Sequence, residues 1–128
     1  MDEPRETPDL VAYAKQSTVR LTTTGRKSGR QHTVTIWFVV AGARHVYVQH
    51  VRGSKADWYK NLRKQPSVQL DFGTGALAGR AAPIDDAAEV RRILALFRRK
   101  YLFAWVFQLL GMTKQAVVAR IEVLSAAS

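Results

Sequence analysis

The sequence predicts an α+β fold that is mainly β: a split antiparallel barrel of about six strands, with a helix after the third strand and a long helix before the last. Two observations support this prediction. Short runs of alternating or β-branched residues recur along the chain, and this pattern is typical of strands. The helical segments interrupt these runs irregularly, whereas a parallel sheet requires a regular alternation of strand and helix. A small antiparallel barrel therefore fits the pattern better.

The most informative stretch is a hairpin with a cationic tip. Val19–Thr24 alternates apolar and polar residues, and residues 33–40 are almost all β-branched or aromatic. Glycine at both sides of the tip allows backbone amides to converge on one point, and such nests bind anions. Basic side chains add charge and hydrogen-bond donors suited to phosphate or carboxylate. We predict an anion-binding loop, and an ordinary solvated turn is the alternative; its basic residues are Arg26, Lys27 and Arg30.

The other elements are predicted from the same kinds of signal. The chain begins with a short helix capped by Asp9. After the hairpin come a strand at 45–51, a helix at about 55–64 that starts at Ser54 and stops before Pro66, and strands at 67–72 and 77–83. A long helix capped by Asp85 then continues to Leu110, and a last strand follows at 117–124.

Length and composition suit one domain, with residues 1–8 as a flexible tail and 9–128 as the split barrel. The chain has no cysteine, which excludes disulfides, thiolate metal sites and cysteine nucleophiles. Its start is acidic, unlike a signal peptide, and no apolar run reaches the about 20 residues that a membrane span needs. We therefore expect a cytoplasmic protein.

The net charge is +10, and the basic excess is concentrated in the first half of the chain. Between Leu10 and Leu70 there are eleven lysines or arginines and one acidic residue, Asp57. Such a field attracts an anionic partner, which can be a nucleic acid, an anionic membrane or a polyanionic small molecule. Charge alone does not choose among these.

Four segments together resemble a known family: TTTGRKSGR, the TVTIWFVV strand, the VYV strand and DWYKNLRKQPSV. They are similar to the deazaflavin-dependent nitroreductase family of the split-barrel flavin and deazaflavin oxidoreductases, and the match is best from Val19 to Leu70. Members bind the reduced 8-hydroxy-5-deazaflavin coenzyme F420, whose phosphate and oligoglutamate tail are anionic. They pass its hydride to nitroaromatics, quinones or other electron-poor acceptors. The resemblance thus implies an F420-dependent oxidoreductase with a small-molecule acceptor, in agreement with the basic charge.

The resemblance also implies which residues bind the coenzyme. The hairpin loop would hold the phosphate and tail, the following strand would lie against the ring, and a second loop and helix would enclose it. The implied coenzyme-binding residues are Arg26, Lys27, Ser28, Arg30 and His32; Thr35, Ile36 and Trp37; His50, Val51, Arg52, Gly53 and Ser54; and Trp58 and Asn61. The chain departs from the family at Gln31-His32, where proline-arginine is usual, at Thr35, where proline is usual, and at residues 50–53.

Hydride transfer depends on binding, orientation and exclusion of water more than on acid–base groups, so we predict no catalytic residue pair. The three histidines match no metal-binding signature, and no metal site is predicted. Tyr101 and Trp105 are candidates for the wall of the acceptor pocket, with a role in the core as the alternative.

Two other classes of function stay open. A non-catalytic lipid- or membrane-binding split barrel is one, because Arg98, Arg99 and Lys100 precede the apolar stretch YLFAWVFQLLGM and would suit a peripheral contact at the inner membrane face. A nucleic-acid binder is the other, but Trp37 and Phe38 lie in a run typical of core, so no nucleic-acid partner is predicted. A homodimer is also open, since split barrels often dimerise.

Overall fold

The computed structural model describes residues 9–50, 56–101 and 117–126. Within these ranges the chain forms a short 3-10 helix, seven strands and two α-helices, which confirms the predicted α+β, mainly β, class. Their bounds are Leu10–Tyr13 for the 3-10 helix, Val19–Thr24 for β1, Gln31–Ile36 for β2, Phe38–Ala41 for β3, His45–His50 for β4, Asp57–Lys64 for α1, Ser67–Asp71 for β5, Ala76–Ile84 for β6, Ala87–Lys100 for α2 and Val117–Ala126 for β7.

The strands pair in the order β2-β1-β5-β6-β7-β4-β3, and every pair is antiparallel. The edge strands β2 and β3 are consecutive in the chain, with Trp37 alone between them. Because one residue joins the two ends of the sheet, the sheet has to curl until its edges meet at this corner. The result is a curled half-barrel.

The corner at Trp37 corrects one prediction. The run 33–40 was expected to be a single strand, but it is two strands at opposite edges of the sheet. The strand count is therefore seven, and α1 follows the fourth strand instead of the third. A continuous β-branched run cannot reveal such a corner, because both halves have the composition of strands.

The helix caps are partly as predicted. Asp9 caps the first helix by accepting the amide hydrogen of Val11 at 3.0 Å. The cap of α2 is Asp86, and not Asp85 as predicted, because the Asp86 carboxylate accepts the amide hydrogen of Glu89 at 2.9 Å. Helix α1 starts after Ala56 with no side-chain cap, so the predicted start at Ser54 is wrong. The predicted tail, and the helix expected beyond Tyr101, lie outside the described residues.

Apolar side chains form two clusters, one on each side of the curled sheet. The larger cluster contains the inner side chains of most strands together with Trp58, Tyr59 and Leu62 from α1. The smaller cluster places Ile93 and Phe97 of α2 against the sheet. Successive side chains of a strand point to opposite faces, so a strand covered on both sides contributes to both clusters. Strand β7 does so, with Ile121 in the first cluster and Val118 in the second.

Tyr101 fastens the corner where the edges of the sheet meet. Its hydroxyl accepts the amide hydrogen of Phe38 at 3.1 Å, and the carbonyl oxygens of Ser17 and Phe38 lie 2.8 and 2.9 Å from it as acceptors. Its ring stacks on Trp37, with the ring centroids 4.3 Å apart and the planes 2° from parallel. One side chain thus joins the segment before β1, the start of β3 and the end of α2.

Lys100 lies beside this corner. Its ammonium group donates to the carbonyl oxygen of Phe38 at 3.0 Å and lies 3.5 Å from the centroid of the Phe38 ring. Burial lowers the pKa of Lys100 to about 8. The two contacts with Phe38 favour the charged form and so act against this shift. Burial likewise raises the pKa of Tyr101 above its ordinary value.

We expect Tyr101→Phe to lower the free energy of unfolding by about 1–3 kcal/mol, because it removes the hydroxyl from a half-buried hydrogen-bonding network and leaves the ring stack in place. Urea denaturation measures this loss. Tyr13→Phe is the matched control. Among the described residues the Tyr13 hydroxyl hydrogen-bonds only to Thr74, at the surface, and the loss of stability should be below about 0.5 kcal/mol. Equal losses in the two variants would show that the Tyr101 hydroxyl does not stabilise the corner.

Candidate functional site

A cleft of about 390 Å³ lies between the tip of the β1–β2 hairpin and helix α1. The hairpin contributes Thr23, the loop residues 25–28 and residues 32–34 of β2. Helix α1 contributes Asp57, Trp58 and Asn61. The described lining therefore carries two cationic side chains, Arg26 and Lys27, one carboxylate, Asp57, and the aromatic ring of Trp58.

The loop at the tip of the hairpin is closed by its own backbone. The amide of Gly25 donates to the carbonyl oxygen of Arg30 at 2.6 Å, and the amide of Gly29 donates to the carbonyl oxygen of Gly25 at 2.9 Å. The amide of Arg30 donates to the hydroxyl oxygen of Ser28 at 3.1 Å. Gly29 has a φ of +72°, a conformation that favours glycine, and this lets the chain reverse at that point. The loop thus has a defined shape before any ligand arrives.

These bonds correct the expectation of an open amide nest. Besides the amides just named, that of Arg26 donates to the side-chain oxygen of Asn61 at 3.2 Å. Within the described part of the chain, only the loop amides of Lys27 and Ser28 have no acceptor. An anion at this loop would therefore meet two free amides and several side chains instead of a ring of amides.

Glycine at position 25 lets the side chains of Ser28 and His32 come close together at the wall of the cleft, and we call this pair of side chains over Gly25 the cradle. A Cβ atom at this position would lie 2.8 Å from the hydroxyl oxygen of Ser28, 2.9 Å from Nε2 of His32 and 3.1 Å from the carbonyl oxygen of Arg30. The hydroxyl and the imidazole thus pack over Gly25, which is buried, and lie close to each other at the wall of the cleft. A hydroxyl and an imidazole, with lysine beside them, are donors that suit an oxyanion.

Arg26 is held by helix α1. Its Nη1 atom donates to the Asn61 side-chain oxygen at 2.8 Å, and its Nη2 atom lies 3.5 Å from a carboxylate oxygen of Asp57. Asn61 is buried and donates in turn to the hydroxyl oxygen of Thr23 at 3.3 Å. The guanidinium group of Arg26 therefore fastens the loop to the helix.

Aromatic packing supports the wall of the cleft. Trp58 is buried, and its ring packs edge-on against that of Tyr59, with the centroids 5.9 Å apart. Burial raises the pKa of Tyr59, and Arg63 lies over the outer face of its ring at 5.8 Å from the centroid. Trp58 is thus held in one orientation beside the cleft.

The structure brings together six of the residues that the sequence predicts for the coenzyme site: Arg26, Lys27, Ser28, His32, Trp58 and Asn61. It adds five residues that the sequence reasoning missed: Thr23, Gly25, Thr33, Val34 and Asp57. Strand alternation could have found Val34, which is two residues from His32 on the same face. Helical spacing could have found Asp57, which lies one turn before Asn61.

Other predicted site residues lie elsewhere. Arg30 is exposed at the end of the loop and does not line the cleft. Thr35 is exposed, Ile36 lies in the larger apolar cluster and Trp37 stacks on Tyr101 at the corner. Tyr101 also lies outside the cleft, and its hydroxyl is committed to the backbone. Their binding roles stay predictions.

Several predictions concern residues that the structure does not describe. These are the binding roles of residues 51–54, the pocket role of Trp105 and the apolar stretch from 102 to 112; of His50, only its backbone in β4 is described. None of the described helices is both long and apolar enough to cross a membrane. Among the described residues, no group of histidine, aspartate and glutamate could hold a metal ion. The predicted peripheral membrane contact and homodimer stay predictions.

Comparison with solved structures identifies the fold. A protein described as F420-H2 dependent reductase FDR-A is 24% identical, with a TM-score of 0.65 over 84% of this chain and 95% of that chain. A candidate 5-nitroimidazole antibiotic resistance protein from Bacteroides thetaiotaomicron is 15% identical, with a TM-score of 0.69 over 89% and 77%. The heme storage protein HutZ from Vibrio cholerae is also 15% identical, with a TM-score of 0.69 over 91% and 89%. At these identities the likeness concerns the fold alone.

Comparison with family models identifies the family. A model described as F420H(2)-dependent quinone reductase matches residues 9–109, which is most of the chain. A search of curated proteins gave no match. The match confirms the predicted resemblance to deazaflavin-dependent enzymes, and it favours an enzyme over the non-catalytic lipid-binding alternative. The chain belongs to the F420H(2)-dependent quinone reductase family, and it is an oxidoreductase whose cofactor is reduced F420.

Proposed function

We propose that this enzyme transfers a hydride from reduced F420 to a quinone or another flat, electron-poor acceptor, with the anionic end of the coenzyme held in the cleft between the hairpin loop and α1. The observation that carries the proposal is the cradle at Gly25, where Ser28 and His32 converge beside Lys27. The description of the family names quinones as acceptors. A hydride and one proton together convert a quinone to a hydroquinone.

The donors of the cleft fit an anion such as a phosphate. Lys27 is exposed and contributes a mobile ammonium group, and the amides of Lys27 and Ser28 are free within the described chain. The Ser28 hydroxyl oxygen accepts from the Arg30 amide, so its own hydrogen is available to a ligand. These groups lie on a loop whose backbone is already fixed, which lowers the entropy that binding costs.

Arg26 has a different role in this proposal. Its guanidinium is bonded to Asn61 and lies near Asp57, and its backbone amide is bonded to Asn61 as well. A side chain engaged in this way positions the loop, and it adds charge to the cleft without being the main contact to the anion. The sequence alone assigned Arg26 and Lys27 the same task.

The inner part of the cleft suits the ring system. Val34 and Trp58 present apolar and aromatic surface next to the cationic rim. When bound, the coenzyme supplies the hydride, so the protein has to orient two flat molecules and keep water from one side of them. The carboxylate of Asp57 lies next to Arg26, and the Tyr101 hydroxyl is engaged with the backbone. Neither of these two groups is therefore proposed to donate the proton that completes reduction of the acceptor.

Lys27→Ala should raise the dissociation constant of F420 about tenfold, because it removes one charge-assisted contact at a partly wet site, and the effect should shrink at high salt. Arg26→Ala combined with Lys27→Ala should weaken binding further, since the loop also loses its tie to α1. Titration of the coenzyme's visible absorbance or fluorescence measures both.

Two controls make this test specific to the anion. Lys15→Ala removes the same charge from an exposed position away from the cleft and should leave binding unchanged. A truncated coenzyme without phosphate and glutamates should bind weakly to the wild type and lose little more in the Lys27 variant. If the full and truncated coenzymes lose affinity equally, the loop does not contact the anion.

Gly25→Ala should raise the dissociation constant of F420 at least about tenfold, and it should also lower the unfolding free energy by about 1–2 kcal/mol. The added methyl group would displace Ser28 and His32 and press on the carbonyl oxygen of Arg30. Displacing Ser28 also breaks the hydrogen bond that its hydroxyl accepts from the Arg30 amide. Gly42→Ala is the matched control. Gly42 has a φ of +78° in the β3–β4 turn with open space around it, so alanine there should cost about 1–2 kcal/mol of stability and leave binding intact. If Gly25→Ala binds F420 as tightly as the wild type does, the cradle is not part of the binding site.

Turnover tests the reaction itself. Reduced F420 should be oxidised by the wild type with a soluble naphthoquinone or benzoquinone, and a nitroaromatic in the same panel shows whether nitro groups are accepted too. The Gly25→Ala variant should show a raised KM for the coenzyme with a kcat near that of the wild type, because its defect is in binding. A panel that stays inert although the coenzyme binds would contradict the proposed acceptor class.

A further inference from the structure

We propose that His32 couples coenzyme binding to the uptake of a proton, so that the cleft binds its anion more tightly as the pH falls. The inference rests on the proposed function, in which the anionic end of F420 enters this cleft. It concerns the imidazole of His32, whose Nε2 atom lies beside Gly25 and Ser28 at the wall of the cleft.

The imidazole lies at the wall of the cleft, beside the Ser28 hydroxyl. His32 lies on β2, opposite Thr23 of β1, and it is exposed. Its Nε2 atom and the Ser28 hydroxyl oxygen both lie within 3 Å of the position that a Cβ atom on Gly25 would take. Within the described residues the ring makes no hydrogen bond, so both of its nitrogen atoms are free to bind a ligand or solvent.

The charged groups around the imidazole are mostly cationic. The loop contributes Arg26 and Lys27 to the cleft, and α1 contributes Asp57. The carboxylate of Asp57 lies 3.5 Å from the guanidinium of Arg26, so the acidic group that lines the described cleft already has a partner. The other residues that β1 and α1 present to the cleft are uncharged. An anion in the cradle would therefore be the counter-charge that the imidazole otherwise lacks.

Linkage then gives the direction of the effect. A negative charge beside an imidazole favours its protonated form, and the protonated form in turn favours the negative charge by the same factor. Lysine and arginine stay charged throughout the neutral range, whereas an imidazole changes its charge between about pH 5 and pH 8. Among the described residues that line the cleft, His32 is thus the group able to make anion affinity depend on pH in this range.

The test measures binding and proton uptake together. Calorimetric titration of F420 into the protein at pH 5.5, pH 7.0 and pH 8.0, in buffers of different ionisation enthalpy, counts the protons taken up on binding. For the wild type we expect an about tenfold lower dissociation constant at pH 5.5, which is the effect of one charge-assisted hydrogen bond, and uptake of part of a proton near neutral pH.

Matched variants isolate the imidazole from the groups that titrate on the coenzyme. His32→Asn keeps a polar side chain that cannot be protonated, and its affinity should change by less than about twofold beyond the coenzyme's own pH dependence. His32→Arg carries a constant charge and should bind tightly at both pH values. His45→Asn, on β4 and outside the cleft, should behave like the wild type. Sulfate, which keeps its charge over this range, serves as a second probe without titrating groups.

The outcomes separate this inference from the proposed function. If the wild type and His32→Asn bind F420 with the same pH dependence and the same proton uptake, His32 does not couple the two and the inference is wrong. If neither the wild type nor any variant binds F420 at any of these pH values, the proposed binding of the coenzyme in this cleft is wrong instead. Thermal melting of each variant shows that it is folded, and His32→Arg tests the inference on its own if His32→Asn does not fold.

Discussion

The buried side-chain amide of Asn61 is the interaction on which the site depends. It donates to Thr23 on β1 and accepts two hydrogen bonds from Arg26, one from the backbone amide and one from the guanidinium. Asn61 is 3% exposed, so water cannot replace these partners, and an unpaired amide there would cost several kcal/mol. One polar residue thus connects the sheet, the hairpin loop and α1, in addition to the apolar packing of α1 on the sheet.

This arrangement divides the basic residues of the loop between two tasks. Arg26 is engaged by the helix and fixes the loop, whereas Lys27 remains exposed beside the cradle at Gly25. A hairpin tip is usually mobile, and an anion site on a mobile tip would lose affinity to the entropy of ordering it. The tie to α1 and the internal bonds of the loop remove much of that cost before a ligand arrives.

The corner where the edge strands β2 and β3 meet also depends on a few local contacts. One residue, Trp37, joins the two edge strands, and Tyr101 closes the corner through its hydroxyl and its ring. Apolar clusters then form on both sides of the sheet, one with α1 and one with α2. The cleft lies at the first of these, so the enzyme needs an accurately placed hairpin and helix more than a set of acid–base groups. This suits hydride transfer, in which the cofactor supplies the chemistry and the protein supplies orientation.

The sequence by itself determined the local elements and the kind of ligand. Alternation and β-branching marked the strands, glycine and basic residues marked the loop, and the match of several motifs identified the family. The tertiary structure alone decided which side chains share a site and what each is free to do. Arg26 meets Asn61 across 35 residues, and Tyr101 meets Phe38 across 63. Local patterns reflect interactions between neighbours in the chain, whereas partners so far apart in sequence meet only after the sheet has curled and the helices have packed on it.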